Sequence, residues 1–306
     1  MGRCPYDSTG CRSNLYTPGN RDVSPETEMT EGELERKGKI KPFLRWIGGK
    51  TRFAQDIVSR LPALPQGATY FEPFLGAGAV FLAYEPRRAV LSDLNPDLIA
   101  TFRAIRNRPF EVAKKLYALR YRDSESSYYR IREYFNSGGL TCLQAARFIY
   151  LNHTSFNGIY RVNKQGKYNV PYGFKAEPNI PGKRQLASAS KLLKNAIVSL
   201  ADYKHIIKIA KTGDIVYFDP PYPPLNGTSY FTHYTKERFA IGDQIEVART
   251  ADALREIGCS VVVTNADTPS IRDLYSRWNI SVIARPSWVT SSCNKHRVFE
   301  LIITSY

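Results

Sequence analysis

No apolar run in this 306-residue chain approaches the roughly 18 residues of a membrane-spanning helix, and the N-terminus lacks the charged-then-apolar layout of a secretory signal. Cysteine is sparse: five residues, at 4, 11, 142, 259 and 293, an odd count with no Cys-x-x-Cys. The four histidines are scattered as well. These shortages argue against a disulfide framework and against a zinc site, so a reduced, cytosolic setting without a metal is expected. Lys50 follows Gly48-Gly49, but the Gly-x-x-x-x-Gly-Lys-Ser/Thr spacing of a phosphate loop is missing, which excludes ATP binding of that kind. Repeats and low-complexity tracts are absent too.

What the chain has is positive charge, unevenly placed. The formal net charge is +15, yet residues 1–39 hold six basic and seven acidic residues, so the excess lies downstream. Between 141 and 185 there are seven basic residues and one acidic, interleaved with Phe148, Tyr150, Phe156, Tyr160, Tyr168, Tyr172 and Phe174. Basic residues alternating with rings suit a polyanion that carries stackable bases, although a solvated face over an aromatic core would read the same way. Residues 1–39 are rich in Gly, Ser, Thr, Pro and charge, and are expected to be disordered. The natural start is expected near Met29.

With 43% hydrophobic residues the chain can bury a full core. Seven short apolar runs read as strands: Thr69–Phe71, Val90–Ser92, Ile197–Leu200, Ile215–Phe218, Ser260–Thr264, Ile280–Ala284 and Val298–Thr304. Helices are expected near Phe53–Leu61, Pro96–Arg106, Pro109–Leu119, Ser126–Phe135 and Leu143–Leu151. Strands alternating with helices predict an α/β sheet covered on both faces. The stretch from 101 to 185 supplies no core strand and reads as a helical insert. It ends in a basic hairpin punctuated at Asn157-Gly158 and from Asn163 to Gly166. The domains so predicted are a tail at 1–39, a catalytic domain from 40–100 and 186–306, and the insert at 101–185.

The chemistry concentrates at the strand ends. Asp219-Pro220-Pro221-Tyr222 follows the apolar run Ile215–Phe218. A carboxylate and a proline carbonyl there can accept from the two N–H groups of a flat amino-bearing base, whose nitrogen is otherwise a poor nucleophile. Proline fixes the backbone and adds no competing donor, and Tyr222 can stack on a base turned out of its duplex. The plainer reading is a turn after a strand. Upstream, Phe71-Glu72-Pro73-Phe74-Leu75-Gly76-Ala77-Gly78 reads as strand, glycine turn and helix start. Fifteen residues after Gly78, Asp93 ends a second short strand, where an acidic residue can accept ribose hydroxyls. The third glycine of a dinucleotide fingerprint is missing, so an adenosine ligand without pyrophosphate is favoured over NAD. Asp93 and Asp202 could each instead cap the helix that follows.

With these motifs in their order, residues 41 to 304 resemble the Dam-type (D12 class) DNA adenine-N6 methyltransferases. The resemblance implies a Rossmann-like S-adenosylmethionine-dependent methyltransferase sheet with a helical DNA-recognition insert. Lys41-Pro42-Phe43-Leu44-Arg45-Trp46-Ile47-Gly48-Gly49-Lys50 is similar to the family's opening signature, in which Trp46 and Lys50 line the cofactor pocket. The family then implies cofactor contacts from Phe71, Glu72, Pro73, Phe74, Gly76, Gly78, Asp93, Leu94, Asp202, Tyr203 and Asp219, with Asp219, Pro220 and Tyr222 as the catalytic set. The run from Tyr150 to Asn163 and Lys167 to Gly173 resembles its DNA-reading hairpin, which implies DNA contacts from Arg45, Phe156, Asn157, Arg161, Lys164, Lys167, Pro171 and Lys175. Relatives that recognise GATC carry an arginine where Phe174 stands, so GATC is the first expectation and its outer base the point of departure.

The implied reaction is methyl transfer from S-adenosylmethionine to N6 of a flipped adenine in duplex DNA. The implied setting is a monomer in the cytoplasm, associated with the nucleoid of a prokaryote or with a phage, and paired or not with a cognate restriction endonuclease. Three further features carry weaker expectations. His233, in the loop Pro223–Thr232 and just beyond, is a poor general base, since a methylated amine loses its proton to water readily. Ser291-Ser292-Cys293-Asn294 resembles a mobile loop of the family, and Arg297 with Glu300 is assigned a structural role. Two other classes stay open on the residues alone: the same chemistry on cytosine N4, RNA adenine or a glutamine amide, and a DNA-binding protein without catalysis.

Overall fold

Seven strands, each short and mostly apolar, form one sheet among the described residues, which in this computed structural model are 40–121, 123–139, 141–175, 177–222, 239–286 and 297–306. In chain order they are β1 (Tyr70–Glu72), β2 (Ala89–Asp93), β3 (Ala196–Leu200), β4 (Ile215–Phe218), β5 (Ser260–Ala266), β6 (Asn279–Pro286) and β7 (Arg297–Thr304). Their order across the sheet is β3-β2-β1-β4-β5-β7-β6. The first five are parallel, with Tyr70 level with both Ala89 and Ile215, and Ile215 level with Ser260. β7 is inserted antiparallel between β5 and β6. All seven strands expected from the sequence are present. This is a Rossmann-like α/β sheet, as expected.

The period of two in each strand divides the core. Tyr217, Val262 and Ile302 face one way, and Val216, Phe218, Val263 and Ile303 the other. The first face is covered by α1 (Ala54–Val58), α2 (Ala79–Tyr84) and α3 (Pro96–Asn107), and its core continues into α4 (Pro109–Arg120), α5 (Glu125–Asn136) and α6 (Cys142–Thr154). α7 (Lys183–Leu193) leads back to β3, and α8 (Ile241–Ile257) with α9 (Pro269–Leu274) covers the second face. α1 is shorter than expected: Phe53 supplies no side-chain cap, and Leu61, preceding Pro62, is biased away from helix. α3 starts cleanly because Asn95 accepts from the Leu98 amide at 3.0 Å and Pro96 occupies the first turn. α5 and α6 are also capped by side chains, those of Ser124 and Thr141.

α6 packs against α3, α4 and α5 at once, so it is buried nearly all round. Phe148, Ile149 and Leu151 are essentially inaccessible, each contributing about 2 kcal/mol of burial. Beyond it the chain forms the expected hairpin. Val162 bridges Tyr168, and the turn closes as Asn163 Oδ1 accepts from the amides of Gln165 and Lys167, each at 3.0 Å. Gly166 takes φ of +76°, which glycine adopts at little cost.

Strand order reverses between β1 and β4, because β2 and β3 lie on one side and β5 on the other. A crevice opens past the carboxyl ends of strands at such a switch point. Glu72 ends β1, Asp93 ends β2 and Asp219 follows β4, all at this edge. Because β7 runs antiparallel, its beginning lies there too, with Glu300 level with Ala266 near the end of β5.

Candidate active site

The loop Asp219-Pro220-Pro221-Tyr222 leaves the fully buried strand β4 and is braced from several elements. Lys50 Nζ lies 2.8 Å from Asp219 Oδ1 and also donates to the Gly48 carbonyl at 2.7 Å. Thr264, on β5, donates to the same Asp219 oxygen at 2.8 Å and stands 2.9 Å from the Tyr217 hydroxyl. Since the single Thr264 proton goes to Asp219, Tyr217 is the donor to Thr264, giving a relay from β4 to β5 and back. The Lys50 ammonium sits 4.6 Å from the centre of the Tyr222 ring and 3.8 Å from Glu300 Oε2. The Tyr222 hydroxyl donates to Glu300 at 3.1 Å. On the opposite face, Gln244 of α8 donates to the Pro221 carbonyl at 2.8 Å and accepts from Asn265 of β5 at 2.8 Å.

Burial pushes the Asp219 carboxyl above the ordinary carboxylate range, while Lys50 and Thr264 pull it back and the Glu300 charge pushes it up again. Lys50 is 4% exposed, so its charge acts on Asp219 with little screening. Glu72 is pushed up to about 8, by burial first and by the Asp219 charge in addition, with the Tyr70 hydroxyl bond at 2.7 Å opposing. With its pKa near 8, Glu72 is mostly neutral at pH 7.

The residues expected around a cofactor fall along the same edge. Phe71, Glu72 and Pro73 are buried, and Phe74 stacks on Tyr203 at 5.1 Å. Gly76 takes φ of +46° against the Trp46 indole, where an added Cβ would come within 2.8 Å of the ring. Gly78, at φ of +65°, is the residue before α2. Asp93 does not cap α3, since Asn95 does; its two oxygens accept instead from the amides of Gly76 at 3.0 Å and Asn95 at 2.9 Å. It thereby ties the glycine turn to the end of β2. Leu94 beside it is half exposed. Asp202 does cap the short helix Tyr203–Lys208, accepting from the Lys204 amide at 2.8 Å. Glycines without side chains, exposed Leu94 and carboxylates with lone pairs to spare fit an adenosine with a ribose. Among the described residues no cluster of His, Cys, Asp and Glu could hold a metal ion.

Most of the residues expected to meet DNA lie on or beside the hairpin, and the Trp46 indole, packed on Gly76, stacks on Tyr160 at its base. Phe156, Asn157, Arg161, Lys164, Lys167 and Pro171 are exposed. The Phe156 amide donates to the Pro171 carbonyl at 2.9 Å, and Asn157 takes φ of +54°. Arg161 Nε donates to Asn169 Oδ1 at 2.8 Å, which orients its guanidinium along the hairpin. Arg45 is held differently: Asn152, on α6, accepts from its amide at 2.7 Å and donates to its carbonyl at 2.9 Å. Its side chain lies against Gly158, where a Cβ would come within 2.7 Å of Nε. Lys175 donates to the His153 carbonyl at 2.7 Å, and burial with the Arg45 charge brings its ammonium down to about 8. Phe174 is 71% exposed and takes φ of +48°, unusual for a bulky residue.

Sequence reasoning missed several members of the site. Glu300, expected to be structural, accepts from the Tyr222 hydroxyl and lies close to Lys50. Thr264, expected only as the end of a strand, bonds Asp219 itself, and Gln244, Asn265 and Asn152 were not anticipated in their roles. A lone acidic residue inside the apolar run Val298–Ile303 was the one readable signal for Glu300. The expected disordered tail with Cys4, Cys11 and Met29, the loop Pro223–Thr232, His233, Ser291–Asn294 and the Arg297 side chain lie outside the described residues.

The sequence is similar to a family model and to named relatives. The family model described as D12 class N6 adenine-specific DNA methyltransferase matches residues 46–288. The type II methyltransferase M.MjaIII of Methanocaldococcus jannaschii is 36% identical over 288 residues, covering 88% of this chain and 100% of that protein. The type II methyltransferase M1.LlaDCHI of Lactococcus lactis subsp. cremoris is 34% identical over 282 residues, covering 89% and 99%. The DNA adenine methylase of Escherichia coli K12 is 34% identical over 268 residues, covering 86% and 95%.

Proposed function

The chain belongs to the D12 class of N6 adenine-specific DNA methyltransferases, and from that premise we propose which of its residues perform the reaction and what sequence it reads. It is an adenine-N6 DNA methyltransferase that uses S-adenosylmethionine. Bound in the crevice, that cofactor supplies an electrophilic methyl group on a sulfonium.

In our reading Asp219 is the group that makes adenine N6 nucleophilic. Its Oδ1 is engaged by Lys50 and Thr264, so we assign Oδ2 and the Pro220 carbonyl to the two N–H groups of the base. As positive charge develops on the nitrogen, both acceptors strengthen their bonds, which lowers the barrier without a covalent intermediate. Tyr222 holds the face of the base, its ring fixed by Lys50 and Glu300. Glu72, the turn Gly76–Gly78, Asp93, Leu94, Trp46, Phe74, Asp202 and Tyr203 hold the cofactor beside it. The observation that carries this reading is the convergence of Lys50 and Thr264 on Asp219 at the switch point of the sheet.

The same reading divides the chain into a catalytic domain at 40–100 and 186–306 and a recognition insert at 101–185. Arg45 and Arg161 contact bases or phosphates, Phe156, Asn157, Pro171 and Lys175 line the same face, and Lys164 with Lys167 contacts phosphates. We take GATC as the target, a monomer as the acting form, and a cognate restriction endonuclease as a possible partner in the cell, where association with the nucleoid would follow from DNA binding. Among the described residues no helix is long and apolar enough to cross a membrane. The test is incubation of unmethylated plasmid with tritiated S-adenosylmethionine followed by nucleoside analysis. Label in N6-methyladenine supports the assignment when Asp219→Ala abolishes it; label that persists in that variant refutes the role of Asp219.

A further inference from the structure

Glu300 sits where a carboxylate is costly. It is 1% exposed, on the middle strand of an antiparallel trio, level with Ala266 on one side and Ile283 on the other. Its neighbours along β7, Leu301, Ile302 and Ile303, are all fully buried. Removing an ionised carboxyl from water costs several kcal/mol unless the surroundings compensate. Stability alone gives no reason for an acid at this position, since an apolar residue would pack there at no such cost. The surroundings do compensate, and they do so through the active site: Tyr222 donates to Oε2 at 3.1 Å and the Lys50 ammonium lies 3.8 Å away.

The arrangement is a buried cation between two carboxylates. Lys50 is 2.8 Å from Asp219 and 3.8 Å from Glu300, and it lies over the ring that Glu300 itself fixes through the hydroxyl. Were Asp219 the sole counter-ion, the ammonium would be drawn fully onto the carboxylate that the base must use. A second negative group behind Tyr222 divides that attraction. The hydroxyl bond meanwhile sets the angle of the ring.

We propose that Glu300 is a positioning residue for methyl transfer, orienting the Tyr222 ring through its hydroxyl and sharing the Lys50 ammonium with Asp219. Its action is on alignment of the base and on the acceptor strength of Asp219, and it touches neither the cofactor nor the methyl group. This rests on the roles given above to Asp219 and Tyr222.

Glu300→Gln is the informative variant, because its amide oxygen can still accept from Tyr222 while the charge is gone; Tyr222→Phe is its complement, keeping the ring and removing the hydroxyl. Each is expected to lower the single-turnover methylation rate about tenfold, the equivalent of one hydrogen bond involving a charged group. The KM for plasmid DNA, the affinity for S-adenosylmethionine and the melting temperature should stay near those of the parent protein. Loss of the negative neighbour also lowers the proton affinity of Asp219, so the acid limb of the pH–rate profile in Glu300→Gln should move to lower pH. A merely structural carboxylate would not move that limb. An unchanged rate and limb would overturn the proposal, as would a rate loss matched by lost melting temperature and cofactor affinity. Asp219→Ala, run alongside, separates the two levels: if it stays active, the site assignment fails and the proposal with it; if it is inactive while Glu300→Gln is unimpaired, only the role of Glu300 fails.

Discussion

The edge of the sheet around Asp219 and the hairpin around Arg161 are both built to hold side chains in place, and they do it by opposite means. At the sheet edge the functional groups are buried or half-buried and braced by contacts far apart in sequence: Lys50 to Asp219, Thr264 to Asp219, Glu300 to Tyr222, Gln244 to Pro221. In the hairpin they are exposed and set by local backbone: Asn163 folds its own turn, Asn169 orients Arg161, and Asn157 takes a left-handed conformation. The difference follows from the task. Stabilising charge that develops on one nitrogen needs a dry, preorganised site, where each dipole is worth most. Meeting a hydrated polyanion needs solvated cations on a surface, where single contacts are worth little and their number sets affinity.

If that contrast is right, substitutions at the two places should fail in different ways. The largest effect is expected for Asp219→Ala, with transfer reduced about a thousandfold or more while DNA binding persists in a gel-shift assay. Loss of binding together with activity would break the contrast. Next is Asn152→Ala, at a residue between the regions, since it holds both backbone groups of Arg45 and also reaches the Gly158 carbonyl at 3.3 Å. Leaving these groups unpaired should cost about 2–3 kcal/mol of stability by urea denaturation, and DNA affinity should fall with it.

Arg161→Ala should weaken DNA binding or relax site choice by about 1–3 kcal/mol and leave cofactor affinity intact, read by titration of each ligand separately. Equal loss of both would mean that the hairpin supports the fold rather than the reading of DNA. Lys164→Ala should act more gently, weakening binding alike on all sequences and reducing the slope of log affinity against log salt by about one.

The smallest effect sharpens the buried side of the comparison. Glu72 has a folded pKa of about 8, above its unfolded value, so it holds a proton in the folded state that the unfolded chain releases. Its contribution to stability is full below the unfolded value near 4.5 and is lost as pH rises through about 8. Glu72→Gln should therefore flatten the decline of the melting temperature between those limits. An unchanged slope would place the proton elsewhere.

The contrast also explains what could be read in the sequence. Strands were legible because Ile215–Phe218 and Val261–Val263 are continuous apolar runs, as parallel strands covered on both faces must be. α3 announced itself through Asn95-Pro96, whereas α7 begins after Gly182 with no side-chain cap and α8 after Ala240, so neither stood out. Asp219, Lys50 and the glycine turn were legible because each lies in a short local motif. Thr264, Gln244 and Glu300 were not, because their roles arise only when β5, α8 and β7 meet the loop after β4, and no spacing along the chain encodes that meeting. Asn152 was hidden for the same reason, its partner lying 107 positions away.

The central claim is that Asp219, held by Lys50 and Thr264, directs methyl transfer to adenine N6 at one short duplex sequence. The most direct measurement is single-molecule sequencing of DNA from a host without adenine methylation that expresses the protein, beside the same host expressing Asp219→Ala. The account predicts N6-methyladenine confined to one motif, GATC or a relative altered at the outer base, and none with the variant. Unmodified DNA from the parent protein, or the same methylation from Asp219→Ala, would contradict it.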